Sequence, residues 1–165
     1  MIPPRLLLRI GWAFHKVLHA VSGHRVGTGR APSEGRLGTL FLLSRGRTSG
    51  TIRRNGLFFV MDGTGYGVVA SNAGADEDPA WWRNLQANPD AVVELGRASI
   101  PVRARRATDE ERERIWARFV DAMPQYRAYA AATQRVIAAV ILEPTGPDPG
   151  DPRPEPAGAE PTPDV

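Results

Sequence analysis

Short apolar runs separated by glycine-rich or polar turns fill the middle of the chain. They lie at 39–43, 57–61, 67–70, 91–95, 99–104 and 136–142. Apolar runs of this length bounded by turn residues predict strands, and Asp62-Gly63-Thr64-Gly65 indicates a hairpin between the second and third. Short strands that follow one another closely favour antiparallel pairing. The pattern predicts an α+β, mainly β fold: an antiparallel barrel of about six strands with flanking helices.

Three further segments carry helical signals. Asp78 suits an N-cap, Pro79 suits the first helical position, and Asn88-Pro89 ends that helix. Thr108-Asp109-Glu110-Glu111 has the pattern of a capping box. The helix that it opens is expected to bury Ile115, Trp116, Phe119 and Val120. Pro124 is expected to open a last helical turn that carries two tyrosines.

The two ends of the chain differ from its middle. Residues 5–21 place apolar side chains at helical spacing, which predicts an amphipathic helix within residues 1–24. Residues 25–37 are rich in Gly, Pro and Ser and are interpreted as a linker, so the barrel domain is assigned to 38–144. Residues 145–165 are rich in Pro, Gly and acidic side chains, which predicts a disordered tail.

The amino-acid composition limits the kinds of functional site that the chain can form. The chain has no cysteine, which excludes disulfides, Cys-ligated zinc, iron–sulfur clusters and thiol nucleophiles and fits a reducing cytoplasm. All three histidines precede residue 25 without a third ligand beside them, so no metal site is predicted. Before Asp76 only Glu34 and Asp62 are acidic, against ten Lys and Arg residues. We therefore expect an anionic partner in the N-terminal half.

The strongest candidate for an anion site is Gly46-Arg47-Thr48-Ser49-Gly50, followed by Arg53 and Arg54. Glycines let backbone amides converge on an anion, hydroxyls add donors, and arginines bind phosphate or carboxylate bidentately. A basic, solvated hairpin turn is the alternative interpretation.

Two neighbouring segments are weaker candidates. The loop Ala70-Ser71-Asn72-Ala73-Gly74-Ala75 could place exposed backbone beside a flat ring, or could be an ordinary connection. Trp81 and Trp82 point about 100° apart on a helix, so one is expected to enter the core while the other borders a pocket, unless both are core residues.

Taken together, these segments resemble the deazaflavin-dependent nitroreductase family of actinobacteria. The resemblance covers about residues 37–144 and rests on Gly46–Gly50 with Arg53, Val68–Ala75, Pro79–Leu85 with Asn88-Pro89, and Pro124–Tyr129. The sequence departs from the family pattern in four places: Thr48 stands where that family often has Lys, Asn55-Gly56 where it has Thr-Pro, and Trp82 where it has Tyr, while Asn72-Ala73-Gly74 lacks the first glycine of the usual pair.

The resemblance implies a split β-barrel that binds 8-hydroxy-5-deazaflavin, the coenzyme called factor 420. It implies hydride transfer to a hydrophobic acceptor such as a quinone, a nitroaromatic or an activated alkene. The coenzyme's phosphate and acidic tail are expected on Arg47, Ser49, Gly50 and Arg53, and its ring near Ala70, Ser71, Asn72 and Trp81. Tyr126 and Tyr129 are expected to be catalytic pocket residues, with Tyr129 preferred as the contact for the acceptor or its proton.

The sequence is also compatible with other ligands and other roles for the barrel. Related barrels bind FMN or haem, and the placement of the histidines weakens haem. The arginines could instead form a lipid- or nucleic-acid-binding patch on a non-enzymatic barrel, although the acidic tail argues against nucleic acid. Residues 5–21 could rest on the anionic inner face of the cell membrane, or pack on the barrel or a partner subunit. Barrels of this type often form homodimers.

Overall fold

The computed structural model describes residues 29–146. The predicted helix within 1–24, the first part of the predicted linker, and the predicted tail from residue 147 onward lie outside these residues. Six strands and three helices are described. They are β1 (Gly38–Arg45), β2 (Ile52–Asp62), β3 (Gly65–Val69), α1 (Ala80–Ala87), β4 (Asp90–Leu95), β5 (Ala98–Arg106), α2 (Asp109–Ala122), α3 (Gln125–Ala131) and β6 (Ala139–Pro144).

The strands close into one barrel in the order β1-β2-β3-β6-β5-β4, and every neighbouring pair is antiparallel. The predicted fold class is therefore confirmed. β1 pairs with β2 along its whole length, whereas β3 pairs with β2 only at Val60–Asp62. The part of β2 before Val60 consequently has β1 as its strand partner on one edge and an opening on the other. That opening is the split in the barrel wall.

Alternation along β2 produces two apolar layers. Phe59 points into the barrel with Leu42 and Val140, and all three are fully buried. Val60 points outward and packs under α2 against Phe119. A Cβ on Gly67 would lie 2.9 Å from Cδ1 of Ile115, so a larger residue would force the Ile115 side chain to shift where α2 approaches β3. Each such buried side chain contributes roughly 1.5–3 kcal/mol to folding, and together they fix the frame in which the opening lies.

The start of α2 is as predicted. Thr108 Oγ1 accepts from the Glu111 amide at 3.3 Å, and Glu111 Oε2 accepts from the Thr108 amide at 2.8 Å. Arg105 of β5 donates two hydrogen bonds to the same Glu111 carboxylate, each 2.7 Å long. These bonds hold the pKa of Glu111 down at about 2. Within α2, Trp116 is only partly buried, unlike the other three residues expected to be buried there.

Three sequence-based boundaries were wrong. Strand β2 begins at Ile52 rather than Leu57, because the largely polar residues before Leu57 also pair with β1. Helix α1 begins at Ala80 with Pro79 as its N-cap. Asp78 does not cap it, because the Asp78 carboxylate accepts from Arg135 Nη1 at 2.9 Å. The last strand begins at Ala139 rather than Val136, which is 66% exposed. The carbonyl of Ile137 accepts a hydrogen bond from Arg112 Nε at 3.0 Å. The backbone at Ile137 therefore bonds to α2, and strand pairing of β6 begins only after it.

Within residues 29–146, none of the helices has the length and apolarity that crossing a membrane requires.

Candidate functional site

A groove lies at the split between β2 and β3. Its outer half is a cavity of about 580 Å³ between residues 46–49, the first residues of β2, and α1. Its inner half, about 440 Å³, is bounded by the middle of β2, the loop after β3, and Tyr126 of α3. Asn55, Ala80 and Trp81 line both halves, so the two cavities lie side by side.

The predicted arginine turn (Gly46–Gly50) forms the end of the outer half. The Gly46 amide donates to the Thr51 carbonyl, and the Gly50 amide donates to the Gly46 carbonyl, both at 2.8 Å. Gly50 has φ +69°, a left-handed conformation that glycine adopts without strain. Because its amide is already bonded within the turn, Gly50 shapes the site rather than offering it a donor.

Arg47 is fixed by α1. Its backbone amide and its Nη1 both donate to Oδ1 of Asn84, at 3.1 and 3.2 Å. Asn84 is 5% exposed, so this amide oxygen is a buried acceptor satisfied by one arginine. Sequence reasoning did not single out Asn84 as a site residue. A polar side chain between the buried Trp81 and Leu85 of α1 was the available signal.

The two arginines on β2 differ in their surroundings. Arg54 is paired: its Nε lies 2.8 Å from Glu94 Oε2, and its Cζ lies 3.4 Å from the centroid of the Phe41 ring. Arg53 lines the groove, and its side chain makes no hydrogen bond or ion pair with any described residue. Arg53 is thus a cation available to a ligand. The hydroxyls of Thr48 and Ser49 line the same cavity, and Ser49 Oγ also accepts from the Thr51 amide at 3.3 Å.

The inner half ends at Tyr126. This residue is 6% exposed, and its ring packs edge-on against Phe119 and Tyr129, with centroids 5.1 and 5.3 Å away. Burial raises the pKa of Tyr126 to about 12, with a further contribution from Tyr129, while a hydrogen bond with the Ser71 side chain opposes the shift. The Tyr126 phenol therefore keeps its proton at neutral pH.

The remaining predicted residues divide between the groove and its support. Ser71, Asn72 and Trp81 line the inner half. Ala70 is fully buried, and its amide donates to the Ala138 carbonyl at 2.9 Å, so it supports the wall. Tyr129 packs on the outer hydrophobic cluster beside Tyr126 and is not among the residues that line either half.

The inner half is also apolar. Leu57, Phe58 and Val69 line it, and Phe58 is 41% exposed. Among the described residues that line this half, none is charged. Sequence reasoning treated Phe58 only as part of a strand. Its adjacency to Phe59 was a usable signal, because consecutive strand residues point to opposite faces and only one of the two can enter the barrel.

Comparison with known proteins gives one consistent result. The model of the F420H(2)-dependent quinone reductase family matches residues 15–144. The F420H(2)-dependent quinone reductase Rv1261c of Mycobacterium tuberculosis is 31% identical over 140 residues, which cover 82% of this chain and 89% of that protein. A second M. tuberculosis protein, provisionally named as such a reductase, is 41% identical over 106 residues, covering 64% of this chain and 89% of its own length.

Two solved structures share the fold. An F420-H2 dependent reductase, FDR-A, superposes with a TM-score of 0.58 at 35% identity, covering 64% of this chain and 93% of that one. A structure described as a domain-swapped dimer gives the same TM-score and identity, covering 64% of this chain and 79% of that one.

Proposed function

From the premise that this chain belongs to the F420H(2)-dependent quinone reductase family, we propose that it reduces hydrophobic quinones in the inner half of the groove. Family membership makes the chain an enzyme, a deazaflavin-dependent reductase with coenzyme F420 as its cofactor. The observation that carries the finer proposal is the division of one groove into a cationic half and an uncharged, largely apolar half.

The donor set of the outer half suits an anionic coenzyme tail. Arg47 and Arg53 present guanidinium groups, which bind phosphate and carboxylate through paired hydrogen bonds. Thr48 and Ser49 add hydroxyl donors, and Gly50 gives the turn its shape. We assign the coenzyme's phosphate and acidic tail to these residues.

We assign the coenzyme ring to the junction of the two halves. Trp81 borders both halves there, and Ser71 and Asn72 line the adjoining wall beside the buried Ala70. When bound, the reduced coenzyme supplies a hydride. The protein's part is to orient the two reactants within one groove and to exclude water from its apolar half.

The proton is assigned to Tyr126. A quinone that gains a hydride carries one negatively charged oxygen, and one proton completes the hydroquinone. Tyr126 holds a proton on its phenol oxygen at neutral pH, and Ser71 lines the same half of the groove beside it. We prefer Tyr126 to Tyr129 because it lines the groove. A role for Tyr129 in contacting the acceptor remains a prediction.

The chemistry of the inner half favours a flat, uncharged acceptor. Phe58 offers an exposed aromatic face, and Leu57 and Val69 add apolar surface. A quinone has these properties and two carbonyl oxygens for the Tyr126 hydroxyl. Nitroaromatics and activated alkenes share the flat shape, and we expect them to be secondary acceptors.

Titration of purified protein with oxidised F420, followed by coenzyme fluorescence, tests the cofactor assignment. We expect saturable binding and no comparable binding of FMN. Oxidation of the reduced coenzyme is then followed with an apolar naphthoquinone, a sulfonated naphthoquinone and a nitroaromatic compound. Preference for the apolar quinone supports the proposal, whereas faster turnover of the sulfonated quinone contradicts it.

We also propose an organisation of the whole chain. The helix expected within residues 1–24, outside the described residues, would hold the 38–144 barrel on the cytoplasmic face of the membrane, near apolar quinones, with 145–165 as a tail. Sedimentation of the full chain, but not of a chain lacking residues 1–24, with anionic vesicles would support this. Since a relative at 35% identity is a domain-swapped dimer, we further propose a homodimer, which light scattering would test.

A further inference from the structure

We propose that Arg135, which follows α3, is a positioning residue that sets Ser71 against Tyr126 by clamping the loop after β3. The inference rests on the proposed function, because it assigns Arg135 a part in the same proton transfer. Arg135 does not touch the groove and belongs to no motif that the sequence singled out.

The Arg135 guanidinium, 15% exposed, makes four contacts with one loop. Nη2 donates to the carbonyls of Ala70 and Ser71 at 3.0 and 2.8 Å. Nε donates to the carbonyl of Ala75 at 2.8 Å, and Nη1 to the carboxylate of Asp78 at 2.9 Å. Both ends of the loop are thereby tied to one rigid, planar group.

The loop needs such support because its backbone is strained. Asn72 and Ala73 have φ of +47° and +52°, a left-handed conformation that side-chain-bearing residues keep only when their surroundings enforce it. Two other side-chain bonds act further along the loop: Asn72 Nδ2 donates to the Glu77 carbonyl at 2.9 Å, and Thr133 Oγ1 donates to Asp76 at 3.0 Å. Arg135 is the group that bonds to the residues flanking the strained turn.

The same loop lies directly against α3. A Cβ on Gly74 would be 2.8 Å from the Tyr129 carbonyl oxygen, so the turn and the helix that carries Tyr126 are in close contact. A shift of the loop would therefore move the Ser71 hydroxyl relative to the phenol. Holding the Ser71 carbonyl at 2.8 Å, Arg135 limits that shift. Misplacement of a catalytic group by about 1 Å can cost about a hundredfold in rate.

The test compares R135A and R135K with S71A, with the double variant R135A/S71A, and with R105A as a matched control. Arg105 also holds chain segments together, bonding Glu111, Glu143 and the Arg106 carbonyl, but it lies away from the groove. R135K keeps the charge and supplies a folded variant if R135A does not fold, but an ammonium group cannot replace the planar fork.

Without coenzyme, amide hydrogen exchange across residues 70–78 should rise in R135A and R135K and stay at the wild-type rate in R105A. With coenzyme and quinone, kcat should fall by about ten- to a hundredfold in both Arg135 variants. The double variant R135A/S71A should be no slower than S71A, because Arg135 acts through Ser71. If Arg135 only stabilised the fold, the reductions in kcat caused by R135A and by S71A would multiply in the double variant.

Unchanged exchange, a wild-type kcat in R135K, or multiplied effects in the double variant would each overturn this role. Failure of the proposed function is distinguishable, because it would appear in the wild-type protein as absence of saturable F420 binding. If the wild-type enzyme is active and R135K is equally active, the role of Arg135 is contradicted while the proposed function is not.

Discussion

Replacing Arg53 by alanine tests the outer half of the groove most directly. Arg53 faces the cavity without a partner among the described residues, so its removal takes away a ligand contact and leaves no buried group of the protein unsatisfied. A charge-assisted hydrogen bond contributes about 1.5–3 kcal/mol. The dissociation constant of the coenzyme should therefore rise roughly ten- to a hundredfold, while the free energy of unfolding stays close to the wild-type value.

The adjacent Arg54, which lines the same cavity but is already paired, provides the comparison. Its charge is already neutralised by Glu94, whose side chain is 8% exposed, and its guanidinium stacks on Phe41. Arg54→Ala should therefore change coenzyme affinity by no more than about threefold, as expected of an exposed, paired charge. It should instead destabilise the fold by about 1–3 kcal/mol, because Glu94 loses its partner.

Fluorescence titration with F420 at low and high salt measures the coenzyme affinity of each variant, and urea unfolding measures its free energy of unfolding. The salt dependence of binding should be weaker in R53A than in R54A, because the unpaired charge is the one that attracts the anionic tail. Arg103→Ala, which breaks an exposed pair with Asp90 away from the groove, controls for loss of any surface arginine. Wild-type affinity in R53A, or equal weakening in R53A and R54A, would refute the assignment.

Three other outcomes are expected. Tyr126→Phe should lower kcat by about tenfold or more at unchanged coenzyme affinity, and Tyr129→Phe should have the smaller effect in stopped-flow assays. The raised pKa of Tyr126 stabilises the fold below about pH 10, and this contribution of about 2–3 kcal/mol is lost as pH rises toward 12. Urea unfolding at about pH 9 and about pH 11 should therefore show a larger loss of stability in the wild type than in Tyr126→Phe. Arg105 holds the pKa of Glu111 down at about 2, which contributes stability above about pH 4.5 that is lost as pH falls toward 2. Glu111→Gln should make the free energy of unfolding depend less on pH in this range. An equal loss of stability in acid for the variant and the wild type would contradict this.

Local signals were sufficient for most of the fold. Each barrel strand was predicted from an apolar run between turn residues, and the capping box at Thr108 lies where its pattern indicated. Two of the wrong boundaries, those at Asp78 and Val136, share one cause: a partner distant in sequence. Asp78 is a good N-cap by local rules, but Arg135 bonds to it across 57 residues. Contacts of that range depend on the closed barrel, which no local pattern specifies.

The candidate site was only partly visible in the sequence. The arginine turn and the Ser71 loop were identified by composition and by family resemblance. The contrast between Arg53 and Arg54, which both line the outer cavity, was not. That contrast depends on Glu94 of β4, which pairs with Arg54 across 40 residues of sequence. Asn84 was missed for a similar reason, since its partner Arg47 is 37 residues away.

The split in the barrel wall explains how one small domain can hold both reactants. Full pairing of β2 with β3 would fill the gap and satisfy the backbone, but it would leave no groove. Because β3 ends at Val69 and pairs with β2 only from Val60 onward, residues 55–58 keep one strand edge open along the cavity. Unpaired backbone donors and acceptors favour an extended, flat ligand with polar edges. With cations at one end of the groove and Phe58 and Tyr126 at the other, we expect such a ligand to bind in one direction, with an apolar acceptor beside the phenol.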